Sequence, residues 1–172
     1  MLEHPSLLVH GWTRTTLADA AEAWVRPITD GAARPLGFVR YQKLPALSWF
    51  FWLPKVRLDV FETEDASHLM SLTRSWTMLH IWDLHDADQR LVGSVYPKTL
   101  VASAGESLGF LDLESGDQGS IVNPSGQALA RFRKKSASSF ELAFAPDPAA
   151  NPFLRMMMLG CLLTLDPKPK RK

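Results

Sequence analysis

The chain has 172 residues, of which 46% are hydrophobic, and its 19 Lys and Arg against 18 Asp and Glu leave a net charge of +1. This length and composition suffice for one domain with a sizeable core, and the balanced charge gives no support for nucleic-acid binding or for a generally acidic partner. The single cysteine, Cys161, excludes an intramolecular disulfide, so we expect a reducing compartment and a buried thiol.

Residues 1–23 are predicted to form an extension outside the main domain. The segment MLEHPSLLVH has Glu3 where a secretion signal carries its basic residues, and SLLV is too short for the apolar part of such a signal. We therefore expect no secretion signal. A short helix is predicted at Leu17–Trp24, with Thr16 as its N-cap.

From about Ala33 onward, apolar and polar residues alternate with the period of β-strands, most clearly over 55–60, 111–114 and 139–144. Segments rich in turn-forming residues separate these runs, at 29–35, 62–67, 85–90, 114–119 and 123–126. The pattern predicts a mainly β fold built from antiparallel hairpins. A sheet of that many strands has to remove its edges, which favours a closed barrel.

The segment Ser48–Pro54 reads SWFFWLP and contains four consecutive aromatic residues, Trp49, Phe50, Phe51 and Trp52. Such a run suits a membrane interface or a protein partner, because an indole has one apolar and one wet edge. Packing over the mouth of the barrel is the alternative.

Three cations occur at alternate positions of one predicted strand: Arg131, Arg133 and Lys135. Their side chains are expected to leave the strand on the same face, where Arg and Lys could bind phosphate. An ordinary solvated strand face is the alternative.

The segment 151–166, NPFLRMMMLGCLLTLD, predicts a helix over 152–165, with Asn151 as the N-cap and Asp166-Pro167 at its end. Its 14 residues span about 21 Å, whereas a membrane-spanning helix needs about 20 apolar residues. The run is apolar on every side, which favours a buried helix in the interior of a barrel too wide for its own side chains to fill.

Residues 167–172 are predicted to be a disordered basic tail, with four cations that anionic lipid would attract: Lys168, Lys170, Arg171 and Lys172. Solubilising disorder without any lipid contact is the alternative. Without these four residues, the rest of the chain has 15 basic and 18 acidic residues, a net charge of −3.

The hairpins VFETEDASHLMSLTRSW and WDLHDADQRLVGSV, followed by a hydrophobic last helix introduced by NPF, resemble the tubby C-terminal-like superfamily. Within it, the chain is most similar to the phospholipid scramblase and LURP-one-related group, including small bacterial members. The resemblance covers 24–166 and implies a closed antiparallel barrel of twelve strands around a central C-terminal helix. It also implies lipid-related functions, since tubby proteins bind phosphoinositides and scramblases are associated with calcium-dependent lipid movement.

Two departures limit what the resemblance implies. The segment before the last helix, APDPAANPF, has one carboxylate, Asp147, where scramblases carry an acidic calcium-binding segment. The cysteine cluster and the Pro-rich arm of the scramblases are also missing from this sequence. The resemblance therefore extends to the barrel alone.

No P-loop, nucleophile elbow or dinucleotide fingerprint occurs, and the His and Asp residues of 80–88 have no second ligand group for a metal. We therefore expect a non-enzymatic protein without cofactor or metal. It should be cytoplasmic, at the inner face of the plasma membrane, and bind anionic phospholipid headgroups or another phosphate-bearing ligand. A protein-interaction scaffold using SWFFWLP is the alternative, and phospholipid scrambling is a third hypothesis.

Overall fold

The computed structural model describes residues 1–16, 22–43, 56–63, 67–74, 80–115, 117–146 and 151–166. Within these ranges the chain forms thirteen strands and one helix. Their bounds are β1 Ser6–Val9, β2 Thr13–Thr16, β3 Glu22–Thr29, β4 Pro35–Lys43, β5 Val56–Glu62, β6 His68–Arg74, β7 Trp82–Asp86, β8 Leu91–Val95, β9 Thr99–Ala102, β10 Ser107–Ser115, β11 Gln118–Val122, β12 Ala128–Ser136, β13 Ser139–Phe144 and α1 Pro152–Leu165.

Strands β3 to β13 pair antiparallel with their neighbours in chain order. Strand β1 pairs with β13 on one side, where Leu7 lies opposite Leu142, and with β3 on the other, where Val9 lies opposite Ile28. Twelve strands, β1 and β3 to β13, therefore form a closed antiparallel barrel, while β2 continues along the edge of β3. Closure of the barrel leaves no unpaired strand edge in the ring, as the sequence pattern predicted.

The predicted boundary of the barrel at residue 24 is wrong. Strand β1 belongs to the barrel wall, because it completes the ring between β13 and β3. The helix predicted at Leu17–Trp24 is also wrong at its end, since Trp24 lies within β3 and pairs with Tyr41 of β4. Residues 17–21 lie outside the described residues.

The helix predicted over 152–165 is confirmed, as is its cap. The Asn151 side chain accepts a hydrogen bond from the backbone NH of Phe153 at 2.9 Å. Eight consecutive residues, 156–163, are buried, so the helix is enclosed on all sides. A Cβ added to Gly160 would lie 2.7 Å from Leu84 Cδ1 of β7, which places that side of the helix against the inner barrel wall.

The alternation of buried and exposed residues is confirmed in β5 and β13, where Leu58, Val60 and Leu142 belong to the core. Three positions differ. Asp59 and Ser139 are only 2% and 8% exposed although they alternate with core residues, and Leu113, near the end of β10, is 49% exposed. The turn-rich segments at 29–35, 85–90 and 123–126 connect consecutive strands as predicted.

Candidate functional site

Strand β12 carries the three cations that the sequence placed on one face. Arg131, Arg133 and Lys135 are exposed, whereas Phe132, between the two arginines, is 4% exposed and contributes to the core. The three side chains therefore leave the barrel wall on its outer surface, as the period of the strand requires. Lys134 does not belong to this row of alternate residues, and its Nζ forms an ion pair with Asp117 Oδ1 at 2.9 Å.

Glu141 of β13 is the counterion of two of these cations. Arg133 Nε donates to Glu141 Oε2 at 2.5 Å, and Lys135 Nζ lies 3.2 Å from the same oxygen. The hydrogen bond from Arg133 holds the pKa of Glu141 below its ordinary value; partial burial opposes this effect and Lys135 reinforces it. Glu141 is therefore ionised at neutral pH and fixes the orientation of the Arg133 side chain.

Arg131 differs from its two neighbours. Within the described part of the chain, its side chain forms neither a hydrogen bond nor an ion pair. It lies opposite Ser120 of β11 and Ala143 of β13, which are both small, so its guanidinium is not covered from either side. Arg131 is thus the cation of the cluster that the fold leaves available to a ligand.

A groove of about 360 Å³ runs over β11, β12 and β13 at this point. Its lining consists of Glu114, Gln118, Gly119, Arg131, Phe132, Arg133, Glu141 and Ala143. The lining holds two cations and two carboxylates, Lys135 lies beside it, and Asp112 lies across Ser120 from Arg131 on the same face. The groove is a partly enclosed, polar recess with one arginine free to bind an anion.

The other predicted contact residues belong to two segments outside the described part of the chain. Trp49, Phe50, Phe51 and Trp52 of the SWFFWLP segment lie outside the described residues. The four basic residues at the C-terminal end do so as well: Lys168, Lys170, Arg171 and Lys172. Their roles stay predictions from the sequence.

Sequence reasoning did not single out the buried arginine at the other end of the chain. Arg26 of β3 is 1% exposed and lies where helix α1 ends. Its guanidinium donates to the carbonyl oxygens of His10, Ser138 and Asp166, the last at 3.1 Å, and lies 3.8 Å from the Asp166 carboxylate. Burial lowers the pKa of Arg26, and the charge of Asp166 opposes that shift. The sequence did contain a sign of this burial: in WVRPI, Arg26 lies two residues before the apolar Ile28 and therefore on the same face of the strand.

A second charged cluster lies on the outer face of β4, β5 and β6, around the nearly buried Asp59. Arg57 Nε donates to Asp59 Oδ1 at 2.6 Å, and Arg40 Nη2 and His68 Nε2 lie 3.7 and 3.5 Å from its oxygens. Arg40 also stacks over Phe61, 5.0 Å from the ring centre. The Asp59 carboxylate is therefore paired within the protein, whereas Arg40 Nε, His68 Nε2 and the hydroxyl of Ser71 are buried there without a hydrogen-bond partner among the described residues.

Nothing in the described ranges assembles a metal site, since no group of three or more His, Cys, Asp or Glu side chains converges there. In the same part of the chain, no helix has both the length and the apolarity to cross a bilayer. Cys161 lies inside the core, and burial raises the pKa of its thiol to about 12.

Comparisons with protein-family models, with curated proteins and with solved structures find no match to this chain.

Proposed function

We propose that this chain is a non-enzymatic β-barrel that binds anionic phospholipid headgroups, or another phosphate-bearing ligand, peripherally at the cytoplasmic face of a membrane. The observation that carries the proposal is the free guanidinium of Arg131 in the groove over β11 to β13. A guanidinium offers a planar pair of donors that matches two oxygens of a phosphate.

The neighbours of Arg131 support this assignment. Arg133 is held in place by Glu141, so it adds positive potential beside Arg131 at little additional entropic cost. Lys135 extends the positive surface by one more residue of the same strand face. The described lining residues offer a free arginine and a fixed ion pair, which supports anion binding at this groove.

The proposal is tested by flotation of the purified full-length protein with neutral and anionic liposomes at low and high salt. The wild-type protein should float only with anionic vesicles, and less at high salt because surface charges are screened. Arg131→Glu changes the local charge by two; at about 1 kcal/mol per charge near an anionic surface, the partition coefficient should fall about 30-fold.

Arg90→Glu is the matched control, because Arg90 is also exposed but lies on the β7–β8 turn, remote in sequence from β12. It should reduce binding much less than Arg131→Glu. If both variants lose the same amount, binding depends on net charge alone and the assignment to Arg131 is wrong. If the wild-type protein does not float with anionic vesicles, the proposed function is refuted.

A further inference from the structure

A second groove, of about 300 Å³, adjoins the first on the outer surface of the barrel. The two grooves share Arg131 and Ala143. The second is lined by Ala128, Ala130, Arg131, Ala143, Phe144, Ala145 and Pro146, so Arg131 is the one charged side chain among the described residues of its lining. One recess is therefore polar and the other apolar, and the free guanidinium stands at their junction.

The apolar groove exists because small side chains occupy neighbouring outward positions. Ala130 and Phe144 are almost wholly buried, so its accessible wall comes from Ala128, Ala143 and Ala145 together with Pro146. The backbone NH of Ala145 donates to the carbonyl of Leu129 at 2.8 Å, which brings this wall together across two strands. Larger side chains at these positions would fill the recess.

The apolar surface continues beyond the groove, across the strands. Ala128 lies opposite Val122 of β11, and Val122 lies opposite Phe110 of β10. Phe110 is 41% exposed although it is aromatic, and Tyr96, beyond the next strand, is 37% exposed. Exposed apolar area of this kind gains free energy when an apolar partner covers it.

We propose that the two grooves together bind a single-chain amphiphile with an anionic head, such as an alkyl phosphate. The head lies at Arg131, and the chain lies along Ala128 and Ala145 towards Phe110. Charge complementarity selects this occupant, because one free cation stands at one end of a groove whose other described lining residues are uncharged. The inference rests on the proposed function, that Arg131 binds anions, and adds that the site also recognises the chain. Because a membrane surface concentrates such amphiphiles, the same face of the barrel serves for contact with the membrane and for binding of the amphiphile.

The test is isothermal titration of the full-length protein with butyl phosphate and with dodecyl phosphate, the latter below its critical micelle concentration. Dodecyl phosphate should bind at least tenfold more tightly than butyl phosphate. Ala145→Trp should abolish this chain-length difference by lowering the affinity for dodecyl phosphate. Arg131→Gln should weaken the binding of both.

Two further variants keep the test interpretable. Ala143→Phe fills the shared end of the grooves from an exposed position, so it is available if Ala145→Trp fails to fold. Ala104→Trp, in the exposed turn between β9 and β10, is the matched control and should leave both affinities unchanged.

Equal affinity for the two phosphates overturns the inference. Retention of the chain-length difference in folded Ala145→Trp and Ala143→Phe overturns it as well. In either case, Arg131-dependent flotation with anionic vesicles would still support the proposed function, so the two failures are distinguishable.

Discussion

Replacing Arg26 by Met should destabilise the barrel more than any exposed charge substitution. The Arg26 side chain is 1% exposed and donates to three carbonyl oxygens, those of His10, Ser138 and Asp166. It also places a positive charge where the negative end of the α1 dipole and the Asp166 carboxylate lie. Met has a similar length but no donor and no charge, so the substitution removes these interactions with little change in volume.

The expected cost is about 3–5 kcal/mol in the free energy of unfolding, because three carbonyl oxygens lose hydrogen bonds from a charged donor, while the partly exposed Asp166 carboxylate adds little. The cost arises because the carbonyl oxygens lose their donor while they remain shielded from water. Asp166 retains one compensation, since Trp12 Nε1 still donates to its carbonyl oxygen at 3.2 Å. For a chain of this length, the loss corresponds to a decrease in Tm of roughly 6–20 °C.

Urea denaturation followed by tryptophan fluorescence measures the effect, because the chain has six tryptophans. Arg131→Met is the control: the same substitution at an exposed arginine should change the free energy of unfolding by less than about 0.5 kcal/mol. If Arg26→Met is within about 1 kcal/mol of the wild-type protein, Arg26 does not stabilise the end of the helix and the reasoning is refuted.

Three further predictions concern the packed helix and one turn. Gly160→Ala should destabilise the protein by about 1–3 kcal/mol in urea, despite the better helix propensity of Ala, because the new Cβ would lie 2.7 Å from Leu84 Cδ1; an unchanged midpoint would show that the wall yields. Cys161 should not react with a thiol reagent at pH 8.5 until the protein unfolds, since its pKa of about 12 leaves little thiolate; rapid labelling of the native protein would contradict its burial. The Asp30 side chain accepts hydrogen bonds from the backbone of Arg34 and Ala32, which lower its pKa, so its contribution to stability is present above pH 4 and is lost as the pH falls through the lowered value. Asp30→Asn should therefore be less stable than the wild-type protein at pH 7, and the difference should shrink in acid; a difference independent of pH would count against the assignment.

The sequence predicted the helix and most of the barrel because their signals are local. Asn151 as the N-cap and Pro152 as the first helical residue mark the start of α1 by themselves. The alternation of apolar and polar residues is visible within the seven residues of β5 and the six residues of β13. The closing strand β1 could not be predicted in this way. It has only four residues, and its pairing with β13 joins positions more than 130 residues apart.

The candidate site, like the fold, could be predicted from the sequence only where its features are local. Strand parity placed Arg131 and Arg133 on one face, because that depends only on neighbouring residues. The sequence could not show that Glu141 pairs with Arg133 and leaves Arg131 free, since this depends on the register between β12 and β13. The apolar groove beside Arg131 depends on that register as well, because Ala143 lies opposite Arg131 only in the folded barrel.

Among the arginines discussed above, the pattern of pairing separates those that maintain the fold from the one that can serve a ligand. Arg26 and Arg57 bind groups of the protein itself, namely backbone carbonyls and the Asp59 carboxylate. Their donors are already engaged, so a ligand would have to displace internal partners and leave them unpaired. Arg131 incurs no such cost, because its guanidinium exchanges water for the ligand and no internal contact is lost. A bound anion at Arg131 should therefore raise Tm with increasing ligand concentration, as binding to the native state alone requires, and Arg131→Gln should abolish that shift.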